Sequence, residues 1–174
     1  MALNIRKALA RDMPGITAVR TSVRENHLSV EQMAERGISE ERTIAEMEAG
    51  DLGCWVAEAR GQIVAFSMGD RRNGNVFALF TLHDFEGRGY GSALLSCCED
   101  DLKACGFSNA HLDTASDTNA HRFYLRRGWQ EYKKSGGNAY LMKPSEGRCC
   151  SADAVDLPRL RAFDALYIGK AGAR

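Results

Sequence analysis

The sequence lacks three features that mark particular classes of protein. It carries no net charge, because 23 basic residues balance 23 acidic ones. No stretch approaches the roughly 20 apolar residues of a membrane span, and the first residues lack the apolar segment of a secretory leader. We therefore expect a cytoplasmic protein whose partners are neither nucleic acid nor membrane.

The cysteines are placed too irregularly for a metal site or a disulfide framework. The six include the adjacent pairs Cys97-Cys98 and Cys149-Cys150, but there is no C-x-x-C and no histidine at the spacing of a zinc ligand. In a reducing cytosol we expect free thiols, several of them packed in the core. No metal is predicted.

Length and composition predict one domain with a C-terminal extension. The 174 residues, 44% hydrophobic and 26% charged, are enough for a single hydrophobic core. From about residue 145, small, polar and charged residues dominate. We assign residues 1–144 to the domain and 145–174 to a tail, which can hold a short docked helix because Leu157, Leu160, Phe163 and Tyr167 share a face.

The first third of the chain has the pattern of helices. Residues 3–9 are compatible with a short edge strand, and Asp12 is an N-cap candidate for a helix that runs to about Asn26. Ser29 and Ser39 precede two further helical stretches.

The middle of the chain has the pattern of strands. Three strands are predicted, at 54–58, 63–68 and 76–82, and Asn73-Gly74 marks the hairpin turn before the last of them. Because the 76–82 segment is almost continuously apolar, it is typical of a central strand covered on both faces.

A helix follows this strand, with Leu94, Cys98, Leu102 and Cys105 on one face. A strand at 110–114 comes next, then a helix capped by Ser116 or Asp117, then closing strands at 129–132 and 139–142. Helices first, an antiparallel group of strands next, and a strand–helix–strand passage last indicate an α+β (mixed α/β) fold with one mixed sheet.

A glycine loop joins the apolar strand to its helix. Gly87, Gly89 and Gly91 alternate there, and glycines let backbone amides at a helix start approach an anion closely. A dinucleotide fingerprint needs a third glycine where Ser92 stands, and a P-loop needs a Gly-Lys-Ser/Thr that is absent. The loop therefore predicts a phosphate ligand of another class.

This loop resembles the diphosphate loop of the GNAT superfamily of acetyl-CoA-dependent N-acetyltransferases, which reads Gln/Arg-x-x-Gly-x-Gly/Ala. The segment Glu86-Gly87-Arg88-Gly89-Tyr90-Gly91 lies in that register. A second family motif, Asn-x-x-Ala-x-x-Phe-Tyr followed by Gly and an aromatic, is matched by residues 117–124 and then Gly128-Trp129. The resemblance covers roughly residues 3–143 and implies a mostly antiparallel sheet of six to seven strands flanked by about four helices.

Two residues depart from the family pattern. Glu86 replaces Gln or Arg beside the expected diphosphate, and Asp117 replaces Asn. If main-chain N–H groups hold the diphosphate, the Glu86 side chain can turn away. Asp117 remains suitable as an N-cap, although the contact that the family's Asn makes is in doubt.

The resemblance implies that acetyl-CoA lies where the fourth and fifth strands separate. Its pantetheine arm would pair with the edge of the fourth strand, and its diphosphate would bind the amides of the glycine loop. The cofactor-binding residues implied are Phe80, Thr81, Leu82, Gly87, Arg88, Gly89, Tyr90, Gly91, Ser92, Asp117 and Asn119.

The implied reaction is direct attack of a primary amine on the thioester. Tyr124 would protonate the departing thiolate, since the ordinary pKa of a tyrosine is near 10, and an N–H near Leu82 would stabilise the oxyanion. The base is left open among Glu25, His83, His111 and Asp113.

The acceptor is expected to be a small molecule or peptide, bound by Glu25 and Asn26 and by the segment from Trp129 to Tyr140. A homodimer is compatible with the family. The alternative is a non-catalytic acyl-CoA-binding sensor or interaction module on the same fold.

Overall fold

The computed structural model describes residues 3–22, 29–35 and 37–145. Its helices are α1 (Met13–Ser22), α2 (Val30–Glu35), α3 (Glu40–Glu48), α4 (Tyr90–Ala104) and α5 (Asn119–Arg126). Its strands are β1 (Asn4–Lys7), β2 (Leu52–Ala59), β3 (Gln62–Asp70), β4 (Asn75–Thr81), β5 (Asn109–Ala115), β6 (Gln130–Ser135) and β7 (Asn138–Pro144). They form one sheet in the order β1-β2-β3-β4-β5-β7-β6.

All neighbouring strands run antiparallel except β4 and β5, which are parallel. The predicted α+β fold with a mostly antiparallel sheet of seven strands is therefore confirmed. The Asn73-Gly74 turn also joins β3 to β4 as predicted. Gly74 is required there, because its φ is +81° and a Cβ would lie 2.9 Å from the Phe107 ring.

The sheet divides where β4 meets β5. These two strands are registered at a single position, Asn75 opposite His111, whereas β5 pairs with β7 along its whole length. Beyond that position β4 and β5 part and leave a gap toward the C-terminal end of β4. Phe77 is an extra residue in β4, because Met68 lies opposite Ala78 while Gly69 lies opposite Val76. Bulges of this kind occur often beside functional sites.

The core lies on both faces of this sheet. One cluster packs α4 and α5 against β5 and β7, with Leu95, Cys98 and Trp129 almost fully buried. A second packs α1 against β2, β3 and β4, through Val19 and Phe66. β4 contributes to both clusters, which confirms it as a central strand covered on two sides.

Two sequence predictions about local structure are wrong. Asp12 does not cap α1. It ends a 3-10 turn, where its carboxylate accepts the Leu9 N–H at 2.8 Å and pairs with the Arg6 guanidinium at 2.6 Å. That hydrogen-bonded cation holds the pKa of Asp12 below its usual value. Cys105, expected on the buried face of α4, is exposed, because α4 ends at Ala104.

Several predictions fall on residues outside the described ranges. These are the last turn of the first helix and the helix in the tail, so the division of the chain at residue 145 also stays a prediction. Among the described cysteines, Cys54 and Cys98 are buried free thiols. Within the described ranges, no helix is long and apolar enough to cross a bilayer, and no three metal-ligating side chains cluster.

Candidate active site

A cavity of about 740 Å³ lies where β4 and β5 part. Its walls are the edge of β4, the start of α4, one side of α5 and the end of β5. Eight of the eleven predicted cofactor-binding residues line it, together with Tyr124; the eight are Phe80, Thr81, Gly87, Gly89, Tyr90, Gly91, Ser92 and Asn119. Leu82, Arg88 and Asp117, also predicted, do not line it.

The ladder between β3 and β4 decides which main-chain groups face the gap. The Leu82 N–H donates to the Val64 carbonyl at 2.8 Å, and the register continues without a shift to Ala78. Because hydrogen-bonded and non-hydrogen-bonded pairs alternate in an antiparallel ladder, the main-chain groups of Phe80 also point to β3. Those of Leu79 and Thr81 therefore point toward the gap.

This geometry changes the expected role of Leu82. Its N–H is already donated to β3, so it is not available to an oxyanion, and its side chain lines a separate cavity beside α1. Thr81 is the member of the predicted trio whose main chain faces the gap. Leu79, which the sequence did not single out, is the other residue of β4 placed in this way.

The glycine loop has the backbone shape of an anion-binding turn. Gly87 and Gly89 have φ values of +70° and +88°, a conformation that side-chain-bearing residues seldom adopt. Gly89 is the N-cap of α4 and supplies no side-chain cap. The first intrahelical bond in this turn runs from the Ala93 N–H to the Gly89 carbonyl. The preceding amides of α4 thus keep their donors for another acceptor.

The start of α4 faces β4 and α5 across the gap. A Cβ at Gly91 would lie 3.8 Å from the Thr81 hydroxyl and 3.9 Å from the Phe123 ring, which are ordinary contact distances, so the first turn of α4 lies close to both elements at this position. Glu86 lines the cavity, but its side chain is 60% exposed and lies 3.6 Å from His83. The expectation that it can turn to solvent agrees with this placement.

Arg88 stands apart from the cavity that the rest of the loop lines. Its guanidinium lies over the Phe85 ring, 5.2 Å from the centroid, and its side chain is exposed. A cation–π contact of this kind at an exposed site contributes little to stability. The Arg88 side chain therefore gives no support to the prediction that this residue binds the cofactor. Its support is the position of its main chain between Gly87 and Gly89.

The N-cap of α5 is Thr118, so the prediction that Ser116 or Asp117 caps this helix is wrong. The Thr118 hydroxyl accepts the His121 N–H at 3.2 Å. Asp117 precedes the cap with a φ of +64°, and its carboxylate is largely exposed, 3.7 Å from Lys134. Asn119 is the first residue of the helix and lines the cavity.

Tyr124 lies in the second turn of α5 and lines the cavity. It is 8% exposed and packs edge-on against Phe123 and Trp129, with ring centroids 5.3 and 5.9 Å away. Burial raises the pKa of Tyr124 well above its ordinary value. The phenol is therefore a proton donor throughout the physiological pH range.

The four candidate bases are placed very differently. Asp113 on β5 lines the cavity, and its Oδ2 accepts the Asn138 side-chain N–H at 3.0 Å. His83 lines the mouth, with its side chain 66% exposed. His111 lies at the closed end of the gap and does not line it. Glu25, like Asn26, lies outside the described residues.

Two residues near the expected acceptor side change the sequence interpretation. Trp129 is 2% exposed and belongs to the core, so its ring does not face an acceptor. Arg20, which the sequence interpretation missed, is 8% exposed and lines the cavity with its guanidinium 4.5 Å from the Phe80 ring centroid. Its position one turn after Ile16, on the buried stripe of α1, is the signal that could have found it.

The fold is that of acetyltransferases whose structures have been solved. The chain superposes on PaiA N-acetyltransferase from Thermoplasma acidophilum in complex with coenzyme A, with a TM-score of 0.71 and 18% identity over 83% of this chain and 99% of that one. For the ribosomal-protein-S18-alanine N-acetyltransferase of Escherichia coli the TM-score is 0.64, with 17% identity over 90% and 99%. For yncA of Salmonella typhimurium with its cofactor acetyl-CoA, the TM-score is 0.67, with 16% identity over 88% of this chain and 100% of that one.

The sequence itself identifies the family. The model of the acetyltransferase (GNAT) domain matches residues 19–141, well over half of the chain. The chain therefore belongs to the GNAT acetyltransferase family, as the two motifs indicated. No curated protein is similar enough in sequence to count as a relative.

Proposed function

We propose that this protein transfers an acetyl group from acetyl-CoA to a primary amine by direct attack of the amine on the thioester. The observation that carries the proposal is the left-handed Gly87–Gly89 turn at the N-terminus of α4, which opens onto the gap between β4 and β5. Structural neighbours that contain coenzyme A or acetyl-CoA support it.

The lining residues fit this co-substrate. Amides at the start of α4, together with the positive end of the helix, suit a diphosphate. The outward main-chain groups of Leu79 and Thr81 suit the amides of a pantetheine arm, which would add to β4 as an extended strand does. Acetyl-CoA supplies an activated acyl group; the protein supplies its position and the proton transfers.

Three groups of the cavity match the requirements of amine acylation. The Leu79 N–H, which points into the gap, is our candidate oxyanion donor in place of Leu82. Tyr124 holds the proton that a thiolate needs. Asp113 is our candidate for attracting the ammonium form of the acceptor and accepting its proton, because it is the carboxylate of β5 that lines the cavity.

A thiol-release assay with a panel of amines tests the proposed reaction. The panel should contain small amines, polyamines, aminoglycosides, amino acids and peptides with free N-termini. We expect thiol release that depends on at least one amine, with an N-acetylated product found by mass spectrometry. Coenzyme A binding without turnover on any amine would instead favour the alternative, a non-catalytic acyl-CoA-binding module.

Asp113→Asn should lower kcat/KM for the acceptor about 10²-fold or more at pH 7, because an amide can neither attract the ammonium group nor take its proton. The measurement is the rate against acceptor concentration, with coenzyme A affinity determined in parallel. Asp100→Asn is the matched control, because Asp100 is an exposed aspartate on α4 that lies outside the cavity lining. Unchanged kcat/KM for Asp113→Asn would remove Asp113 from the mechanism.

A cytoplasmic location, a homodimer and a role for Glu25 and Asn26 in acceptor binding remain predictions from the sequence. Nucleic acid and membrane stay outside the proposed partners.

A further inference from the structure

His121 is a buried titratable side chain that the proposed chemistry does not use. It is the third residue of α5 and 4% exposed, and it does not line the cavity, although its neighbours Asn119, Ala120, Phe123 and Tyr124 do. A buried histidine outside the reacting centre needs partners for both ring nitrogens. Those partners connect it to the part of α5 that faces the cofactor.

The imidazole closes the turn before α5. The Thr118 hydroxyl accepts the His121 main-chain N–H, and His121 Nδ1 in return accepts the Asp117 main-chain N–H at 3.1 Å. This is the reciprocal pattern of a capping box, with histidine in the place of Glu or Gln and its bond made one residue further back. The bond to His121 Nδ1 holds Asp117, whose φ is +64°, in the left-handed region.

That hydrogen bond fixes the tautomer of the neutral ring. An Nδ1 that accepts a hydrogen bond carries no proton, so the proton of the neutral imidazole is on Nε2. Nε2 lies 3.0 Å from Glu131 Oε2 on β6, yet it makes no hydrogen bond among the described residues, because the pair is close but not aligned. The Glu131 carboxylate therefore lies beside Nε2 without a hydrogen bond to it.

The charged groups around the ring come from two elements. β6 contributes Glu131 and Lys134, whose Nζ is 3.7 Å from Glu131 and 3.7 Å from the Asp117 carboxylate. The turn and helix contribute Asp117 and Arg122, which donates to the Asp117 carbonyl at 2.9 Å. A second proton would therefore have to sit on Nδ1, against the Asp117 N–H, while the Nε2–H faces the Glu131 carboxylate.

We propose that His121 is a positioning residue: its neutral imidazole holds the Asp117–Thr118 turn, and with it the cofactor-facing start of α5, and a second proton releases that turn. An imidazolium donates from both nitrogens, so its Nδ1–H would oppose the Asp117 N–H while its Nε2–H is drawn to Glu131. The inference rests on the proposed function, since it assumes that this face of α5 borders the coenzyme A site.

The consequence is cofactor binding that weakens as pH falls. Coenzyme A would prefer the closed turn of the neutral state, and by linkage it would disfavour protonation of the ring. The loss of one neutral hydrogen bond corresponds to about a two- to tenfold loss of affinity.

Calorimetric titration with coenzyme A at pH 7.5 and 5.5 tests this on three proteins. Between pH 7.5 and pH 5.5, the affinity of the wild type for coenzyme A should fall about two- to tenfold more than that of His121→Gln. Glutamine keeps an acceptor for the Asp117 N–H and a donor for Glu131, but its side chain does not change charge with pH. Any effect of the ionisation of coenzyme A itself is the same for both proteins and cancels in the comparison. His121→Leu should bind weakly at both pH values, and thermal unfolding of all three checks that they are folded.

A ligand-free measurement separates this inference from the proposed function. Nitrogen chemical shifts of the His121 ring should show the Nε2–H tautomer at pH 7.5, and the Asp117 amide should exchange faster at pH 5.5 in wild type but not in His121→Gln. Equal pH dependence of wild type and His121→Gln in both experiments would overturn the proposal. If coenzyme A does not bind at all, the proposed function fails, and the exchange experiment still decides the role of His121.

Discussion

Tyr124→Phe should lower the rate of acetyl transfer about 10²–10⁴-fold, the usual contribution of a positioned general acid. The substitution removes only the hydroxyl, so the ring keeps its edge-on packing against Phe123 and Trp129. Because the Tyr124 phenol has a raised pKa, it is protonated at every pH at which the enzyme is assayed. Its loss removes a proton donor rather than a charge, so affinity for coenzyme A should change little.

The measurement is single-turnover acetyl transfer beside calorimetric binding of coenzyme A. Ser108→Ala is the control, because it removes an exposed hydroxyl just before β5 that lies outside the cavity lining and outside the expected acceptor segment. It should retain wild-type rates. A Tyr124→Phe enzyme with an intact rate would show that Tyr124 is only part of the aromatic cluster, and that water or another group protonates the thiolate.

The parts of the fold that the sequence predicted well depend on local chemistry. A short, almost continuously apolar run is typical of a strand covered on both faces, and β4 indeed contributes to two core clusters. Asn73-Gly74 has few alternatives to a tight turn. The alternating glycines predicted a loop between the apolar strand and its helix, and the structure has one there, with positive φ at Gly87 and Gly89.

The parts that the sequence did not predict depend on partners distant in the chain. Whether the Leu82 N–H faces the gap depends on the register with Val64, and a slip of one residue would reverse the answer. The sequence offered Ser116 or Asp117 as the cap of α5, whereas the side chain that accepts the His121 main-chain N–H is the neighbouring hydroxyl of Thr118. Asp113 could not be chosen among the four candidate bases from the sequence for the same reason. Whether its side chain lines the cavity depends on where β5 separates from β4.

The separation of β4 from β5 connects these observations to function. With β4 paired to β3 on one side, its other edge would expose unpaired main-chain groups along the gap, which is normally a liability for a strand. A ligand with amides of its own can satisfy them. In the proposed function, the gap is the position that the pantetheine arm would take as an added strand, and the glycine loop would hold its diphosphate end.

Gly89→Ala should weaken coenzyme A binding about tenfold or more, because the amides of the turn would have to move and a hydrogen bond to a charged group contributes about 1.5–3 kcal/mol. Gly89 has a φ of +88°, where a side chain is strained, although its Cβ would meet nothing closer than Leu3 at 3.8 Å. The strain alone should cost about 1–2 kcal/mol of the free energy of unfolding.

Gly106→Ala is the matched control for that strain. Gly106 follows the other end of the same helix with a φ of +93°, and a Cβ there would be in open space. Both variants should lose similar stability in urea unfolding, whereas only Gly89→Ala should lose affinity for coenzyme A in calorimetry. Equal affinities would mean that the amides at the start of α4 do not hold the diphosphate, because the two substitutions differ only in which end of α4 they distort.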